Sequence, residues 1–320
     1  MKTRAAKELY ERLQGPVVAM TTPFEDDYSL DLEGLKRLTR LYVEGGTPSV
    51  IAAGSTGEFY SMTDEERKLV IKTVVEAAHG EITVFGCSAH SGTQLTIDLS
   101  QYCKDIGCDG VMVTPPYYTF SGFEGLKKHY EMVSEAVDIG IVLYFSGSVL
   151  RFPAVNKMIR EDFRCPPEFK ELLSIPGIGA MKDASGHYAW HRDISRELEG
   201  NLGVRVMGSD GMSYHLWGHR WGSRCFLTGL GNIWPEVEVD YWNKLKKGDY
   251  EAAQKIVDDQ ELAYFTATKT LIGQGKYWSS VKFLLDEIGE SGGKMRPPLL
   301  DLNKEEQKTV RKICKDVGLY

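Results

Sequence analysis

Eight short apolar runs, at residues 17–20, 50–53, 82–87, 110–113, 140–144, 178–181, 204–207 and 225–227, recur along a chain of 320 residues. Charged stretches with helical periodicity separate most of them, at 32–44, 65–78, 95–106, 125–137 and 169–174. Runs alternating with helices describe repeated βα units, and eight such units predict an α/β fold of the (β/α)8 barrel, or TIM barrel, type. A doubly wound open sheet alternates in the same way, but it usually carries GxGxxG after its first strand. That motif is absent at Met20 to Phe24.

After the eighth run the pattern changes. Residues 236–246, 250–273, 281–288 and 304–317 read as consecutive helices with no strand between them. The expected organisation is a barrel over 1–235 and a helical C-terminal extension over 236–320 packed upon it. Gly273-Gln274-Gly275 and Ser291-Gly292-Gly293 read as turns between those helices. Thr63-Asp64-Glu65-Glu66 has the pattern of a capping box, and Ser29 to Asp31 offers caps for the helix after the first strand.

Composition excludes several classes. The chain is 42% hydrophobic and 26% charged with a net charge of -7, and its basic residues are spread, so no nucleic-acid footprint is present. Six cysteines, at 87, 103, 108, 165, 225 and 314, form no CxxC pair and no zinc spacing, which implies reduced thiols. The first fifteen residues mix both charge signs without the apolar core of a signal peptide. No run approaches the roughly 18 apolar residues of a membrane span. The expectation is a cytoplasmic protein without a nucleic-acid or membrane partner.

Active sites of such barrels are built at the C-terminal ends of the strands. Lys182 closes the run 178–181 and precedes Asp183-Ala184-Ser185-Gly186, a strand end passing into a loop. An amine at the mouth of an apolar cavity is partly desolvated, which favours its neutral, nucleophilic form. Tyr144 ends the preceding strand, one barrel position away, where a phenol can move protons. Gly54-Ser55-Thr56-Gly57-Glu58 follows the second strand. Its glycines permit close approach of a ligand and its hydroxyls flank backbone N–H groups, a loop suited to a carboxylate; it lacks the GxxxxGK[ST] pattern of a phosphate loop. Ser185, Ser209, Asp210 and Gly229 stand at other strand ends as candidates for binding substrate, with Asp210 also placed to cap a helix starting near Met212.

Weaker constellations are also visible. His215 and His219 stand at i and i+4, a spacing that suits two metal ligands, but no third ligand accompanies them and no metal site is expected. His187 and His191 share that spacing and read as surface or helix-start residues. Trp217, Trp221 and Trp234 flank the last two strands and read as aromatic packing, with an apolar substrate wall as the alternative.

Together these segments resemble the dihydrodipicolinate synthase and N-acetylneuraminate lyase superfamily. The resemblance rests on Thr21-Thr22-Pro23-Phe24, Gly54-Ser55-Thr56-Gly57-Glu58, Thr114-Pro115-Pro116-Tyr117-Tyr118, Tyr144, Lys182-Asp183, Gly208-Ser209-Asp210, Gly229-Leu230-Gly231-Asn232 and Arg296-Pro297-Pro298-Leu299. It implies a lyase without cofactor or metal, in which Lys182 forms an imine with a 2-oxo acid such as pyruvate. It also implies that Ser55 and Thr56 hold the carboxylate while Tyr144 acts as acid and base. Tyr118, or its neighbour Tyr117, would complete a hydroxyl relay through Ser55 across a dimer contact, within a homodimer or homotetramer.

Two departures bear on the substrate. Members that condense pyruvate with aspartate semialdehyde carry an arginine five residues after the relay tyrosine, and here that position is Val149, with Arg151 two residues further on. The usual Tyr-Asn-x-Pro segment is replaced by Tyr144-Phe145-Ser146-Gly147. The expected activity is therefore an aldolase or dehydratase of a 2-keto-3-deoxy sugar acid. Dihydrodipicolinate synthesis, a hydratase-aldolase reaction on an aromatic substrate, and noncatalytic 2-oxo acid binding are the alternatives.

Overall fold

A computed structural model describes residues 1–119, 122–146, 167–208, 211–227, 229–273, 275–316 and 318–319. Its eight strands are β1 (Gly15–Ala19), β2 (Ser49–Ala52), β3 (Thr83–Cys87), β4 (Gly110–Val113), β5 (Ile141–Ser146), β6 (Ile178–Ala184), β7 (Arg205–Gly208) and β8 (Cys225–Leu227). They close into a parallel barrel in chain order, the (β/α)8 architecture expected from the apolar runs. Helices α1 (Arg4–Arg12), α2 (Leu32–Glu44), α3 (Asp64–Ala78), α4 (Thr93–Asp105), α5 (Gly122–Ala136), α6 (Pro167–Ser174), α7 (Tyr188–Asn201) and α8 (Gly211–His219) accompany the strands. Beyond β8 come α9 (Pro235–Lys246), α10 (Tyr250–Ile256), α11 (Ala263–Gly273), α12 (Tyr277–Glu287) and α13 (Lys304–Asp316). No described helix is long and apolar enough to cross a membrane. No disulfide joins the described cysteines, which are all buried.

Contacts divide the chain into two compact units. One comprises Met1–Val17 and Thr83–Leu227, the other Val18–Ile82 and Thr228–Tyr320.

In the first unit, β5 and β6 run further than their hydrophobic cores. Pairing continues through Tyr144↔Lys182, Phe145↔Asp183 and Ser146↔Ala184, so Lys182 and Asp183 lie inside a strand and not in the loop beyond it. The ladder, not side-chain polarity, decides where the strand stops. Helix α1, for which the sequence reading named no element, is capped by Thr3, whose side chain accepts the Ala6 N–H. Two glycines receive it. A Cβ at Gly140 would stand 2.7 Å from Leu9 Cβ, and one at Gly179 would collide with the Ala6 carbonyl oxygen. The far end is held by Arg205, whose guanidinium lies 4.0 Å from the centre of the Tyr10 ring and donates to the Tyr10 carbonyl at 3.1 Å. Gly179→Ala is therefore expected to destabilise the fold by about 1–3 kcal/mol, the usual range for overpacking, measured as a lower denaturant midpoint.

In the second unit, Thr63 and Glu66 form the expected capping box on α3, and Asp31 caps α2 by accepting the Gly34 N–H. The helical pattern across 250–273 does not give one helix. Val257–Leu262 forms a π-helical turn between α10 and α11, burying Val257 and Glu261. No glycine or proline inside 250–272 marks that break. Widened turns of this kind leave no local signature because the period of the pattern changes by less than one residue.

Candidate active site

Lys182 and Tyr144 are register partners on neighbouring strands. Side chains at matched positions of adjacent parallel strands share a face, and here they meet. The Lys182 Nζ lies 4.0 Å from the centre of the Tyr144 ring, with Lys182 only 7% exposed. A cation over an aromatic face is stabilised by about 0.5–2 kcal/mol, more as water is removed. Tyr144 thus presents its ring face to the amine, an orientation that strand-end reasoning did not contain.

Asp183 alternates to the opposite face and is fully buried. Its Oδ2 stands 2.9 Å from His191 Nδ1, and its Oδ1 accepts the Ser185 N–H at 3.1 Å. Ser185 Oγ in turn accepts the His187 N–H at 3.3 Å, and Gly186 turns the loop with φ +70°. His191 is 1% exposed in the first turn of α7, so of the two places expected for it the helix start holds and the surface does not. Its place on α7 one turn beyond His187 brings it beneath the lysine strand, a contact that depends on how helix and sheet pack.

The histidines of α8 are packing groups. His215 stacks on Phe226 with ring centres 4.6 Å apart and its Nε2 stands 3.3 Å from the Ser223 carbonyl oxygen. Burial holds its pKa well below the usual value. His219 faces Arg224 Nη1 at 3.2 Å and is lowered to about 4 by burial and then by that guanidinium. Among the described residues no group of three or more His, Cys, Asp or Glu is arranged to hold a metal. Trp217 is 56% exposed, while Trp221 lies under Arg192 and Trp234 packs edge-on against Tyr264.

Gly54, Ser55 and Thr56 follow β2 in the second unit, with Thr56 5% exposed and Ser55 half-buried. The turn is bent by two left-handed residues, Ala53 at φ 52° and Glu58 at φ 59°. Ser55 and Gly54 carbonyls accept the Glu58 and Phe59 N–H groups at 3.2 Å each. No backbone acceptor among the described residues takes the Ser55 or Thr56 N–H. Gly57 is held from outside, its carbonyl accepting Thr22 Oγ1 at 2.8 Å.

Tyr118 stands 87% exposed and Tyr117 43% exposed on the loop after β4. Gly229 uses both backbone groups in packing: its N–H donates to Glu238 Oε1 at 2.9 Å and its carbonyl accepts the Tyr277 hydroxyl at 3.0 Å. An added Cβ there would meet the Phe265 ring at 2.7 Å, so close packing alone accounts for the glycine. Ser209, Asp210, Val149 and Arg151 lie outside the described residues.

Two buried charged clusters had no sequence signal for their burial or pairing. Glu58 pairs with Lys282 at 2.6 Å across 224 positions. Glu238 and Glu261 are both fully buried near the loop after β8. Residue type gives no hint of either, since glutamates and lysines are usually exposed.

A parallel barrel with an amine and a phenol in register on adjacent strands fits a class I lyase of the lysine-imine type, the class to which the family match assigns the chain. More particularly, the chain belongs to the dihydrodipicolinate synthetase family, whose sequence model matches residues 12–317. It is 30% identical over 304 residues to the 4-hydroxy-tetrahydrodipicolinate synthase of Alkalilimnicola ehrlichii, covering 95% of this chain and 98% of that one. It is 27% identical over 311 residues to the 4-hydroxy-tetrahydrodipicolinate synthase of Methanocaldococcus jannaschii, covering 96% and 99%. The crystal structure of dihydrodipicolinate synthase from Oceanobacillus iheyensis shares the fold, with a TM-score of 0.85, 20% identity and coverage of 98% of this chain and 100% of that one.

Proposed function

We propose that the chain is a pyruvate-type 2-oxo acid lyase whose covalent step is carried by Lys182, acting on a 2-keto-3-deoxy sugar acid. The observation that carries the reading is the nearly buried Lys182 amine held over Tyr144. The neutral amine attacks the C2 carbonyl, the carbinolamine loses water, and the resulting iminium draws electrons from C3. Either the C3–C4 bond breaks, its electron pair forming the enamine while the C4 hydroxyl gives up its proton to become an aldehyde, and C3 then takes a proton to restore the iminium; or a C3 proton leaves to form the enamine, which expels the C4 hydroxyl as water on protonation and leaves a conjugated iminium. Hydrolysis of the imine releases the 2-oxo acid and restores the amine.

The Tyr144 phenol moves the protons of these steps, and Ser55 and Thr56 hold the substrate carboxylate. That no backbone carbonyl among the described residues accepts the Ser55 or Thr56 N–H supports that second role. Tyr118 would complete the relay from a second copy, a role its 87% exposure in one chain leaves open. Ser185, Ser209 and Asp210 would line the rest of the substrate, in a cytoplasmic homo-oligomer.

The sugar-acid partner is favoured by Val149, which stands where aspartate-semialdehyde synthases carry an arginine. The second reading, 4-hydroxy-tetrahydrodipicolinate synthesis, is favoured by the names of the relatives. Borohydride added with pyruvate is expected to leave a reduced pyruvyl adduct on Lys182, read by peptide mass spectrometry. Bound pyruvate without that adduct sinks the imine. Assays of cleavage and dehydration of 3-deoxy-2-oxo sugar acids, beside pyruvate consumption with aspartate semialdehyde, decide between the readings. Binding without turnover on any of them would mark a noncatalytic binder.

A further inference from the structure

Three segments with no chemistry of their own meet around one carboxylate. Glu58, fully buried, directs Oε1 to Lys282 Nζ at 2.6 Å and accepts the Arg296 N–H on Oε2 at 3.0 Å. Lys282 Nζ also donates to the Lys294 carbonyl at 2.6 Å and lies 4.6 Å from the centre of the Phe24 ring. The Arg296 guanidinium covers that same ring at 4.2 Å and donates to the Ser61 carbonyl at 2.8 Å, on the far side of the Glu58 turn. Thr22 grips Gly57 at 2.8 Å, where a side chain would stand 3.0 Å from the Met20 carbonyl oxygen.

Such a pair is a poor device for stability. Desolvating two charges costs about what their attraction returns, and an apolar pair of like volume often serves as well or better. What the pair supplies is position. Glu58, at φ 59°, closes the turn by donating its N–H to the Ser55 carbonyl at 3.2 Å, so the pair anchors the end of the turn that carries Ser55 and Thr56.

We propose that Glu58, Lys282 and the Arg296 backbone form a charged clamp by which the C-terminal segment positions the Ser55-Thr56 loop to receive the substrate carboxylate. Glu58 and Lys282 are positioning residues, since they act through the loop and not on reacting atoms. The inference rests on the carboxylate role proposed for Ser55 and Thr56.

Removing one charge strands the other in the interior, so the informative variant is the double substitution Glu58→Gln with Lys282→Met, which removes both. Its melting temperature is expected within a few degrees of the parent. Two readouts are taken on the folded full-length variant. Amide hydrogen exchange across 50–62 is expected to speed up about tenfold, with α3 beyond residue 67 unchanged. The pyruvate concentration giving half-maximal borohydride adduct on Lys182 is expected to rise about tenfold, with the maximal adduct unchanged. Unchanged exchange overturns the clamp, and faster exchange with unchanged half-saturation overturns its role in binding. Absence of any adduct in the parent instead defeats the imine reading, and hydrogen exchange then decides the clamp alone.

Discussion

Lys182→Ala is expected to reduce turnover by roughly 10³-fold or more and to abolish the borohydride adduct, because no other group at this strand end can form an imine with a ketone. The fold should persist. The truncation forfeits a cation–aromatic contact worth about 0.5–2 kcal/mol, but it also relieves the burial of an amine that is 7% exposed. Lys182→Arg separates charge from nucleophilicity: guanidinium keeps the positive charge over Tyr144 and stays protonated, so it should be as inactive as alanine. Tyr144→Phe provides the complementary test. It keeps the ring beneath Nζ and removes the hydroxyl, so the adduct should still form while turnover falls by roughly 10²–10⁴-fold, the usual contribution of a positioned acid–base group. Full activity in Lys182→Arg would remove Lys182 from the covalent role. Loss of the adduct in a folded Tyr144→Phe would mean that the hydroxyl is needed to form the imine as well as to turn it over.

Stability should fall as pH rises through the neutral range, and Glu238 supplies the reason. Burial and then the neighbouring Glu261 raise its carboxyl from 4.5 to about 8, against the opposing pull of N–H groups on Gly231, Gly229 and Leu230. The folded protein therefore keeps a proton that the unfolded chain has already released. Between the unfolded value near 4.5 and the folded value near 8 the folded state binds more protons, so unfolding becomes easier with each pH unit. The stability associated with this proton is fully present below about 4.5 and lost by about 8, on the order of 4–5 kcal/mol across the window.

Glu238→Gln replaces the titrating group with a neutral isostere whose oxygen can still accept the Gly229 and Gly231 N–H groups. Its melting temperature is expected to match the parent near pH 5 and to exceed it increasingly towards pH 9, by roughly 2–4 °C for each kcal/mol. Parallel melting curves from pH 5 to 9 would show that Glu238 does not titrate there. Ionisation strengthens the bonds from the Gly229 and Gly231 N–H groups, so the cost falls on the desolvated charge itself and on its repulsion with Glu261.

The strands were legible because parallel strands covered by helices are buried on both faces and so read as unbroken apolar runs. Where a strand carries polar residues that reading stops early. Lys182 and Asp183 end the run at Met181, yet the ladder with β5 continues to Ala184. Lys182 and Tyr144 were chosen as candidates because each lies at the end of an apolar run, and strand ends are where barrels do chemistry; the structure places them side by side. Glu58 was visible as the last letter of a glycine-rich loop but was given no role of its own, because its partner lies 224 positions away. The burial of His191, expected at the surface or at a helix start, was missed for the same reason, since nothing within α7 indicates that Asp183 waits beneath it.

Local patterning and residue chemistry thus determined the eightfold βα repeat, the α2 and α3 caps, and the choice of Lys182 and Tyr144, because each depends on periodicity or on neighbours within a few positions. Tertiary structure alone decided that the Lys182 amine rests on the Tyr144 ring and that Asp183 pairs with His191. It also decided that Glu58 is clamped by Lys282 and that Glu238 is raised by burial beside Glu261. Desolvation and charge pairing act across space, and a linear pattern carries neither the distance nor the loss of water that gives these groups their energies.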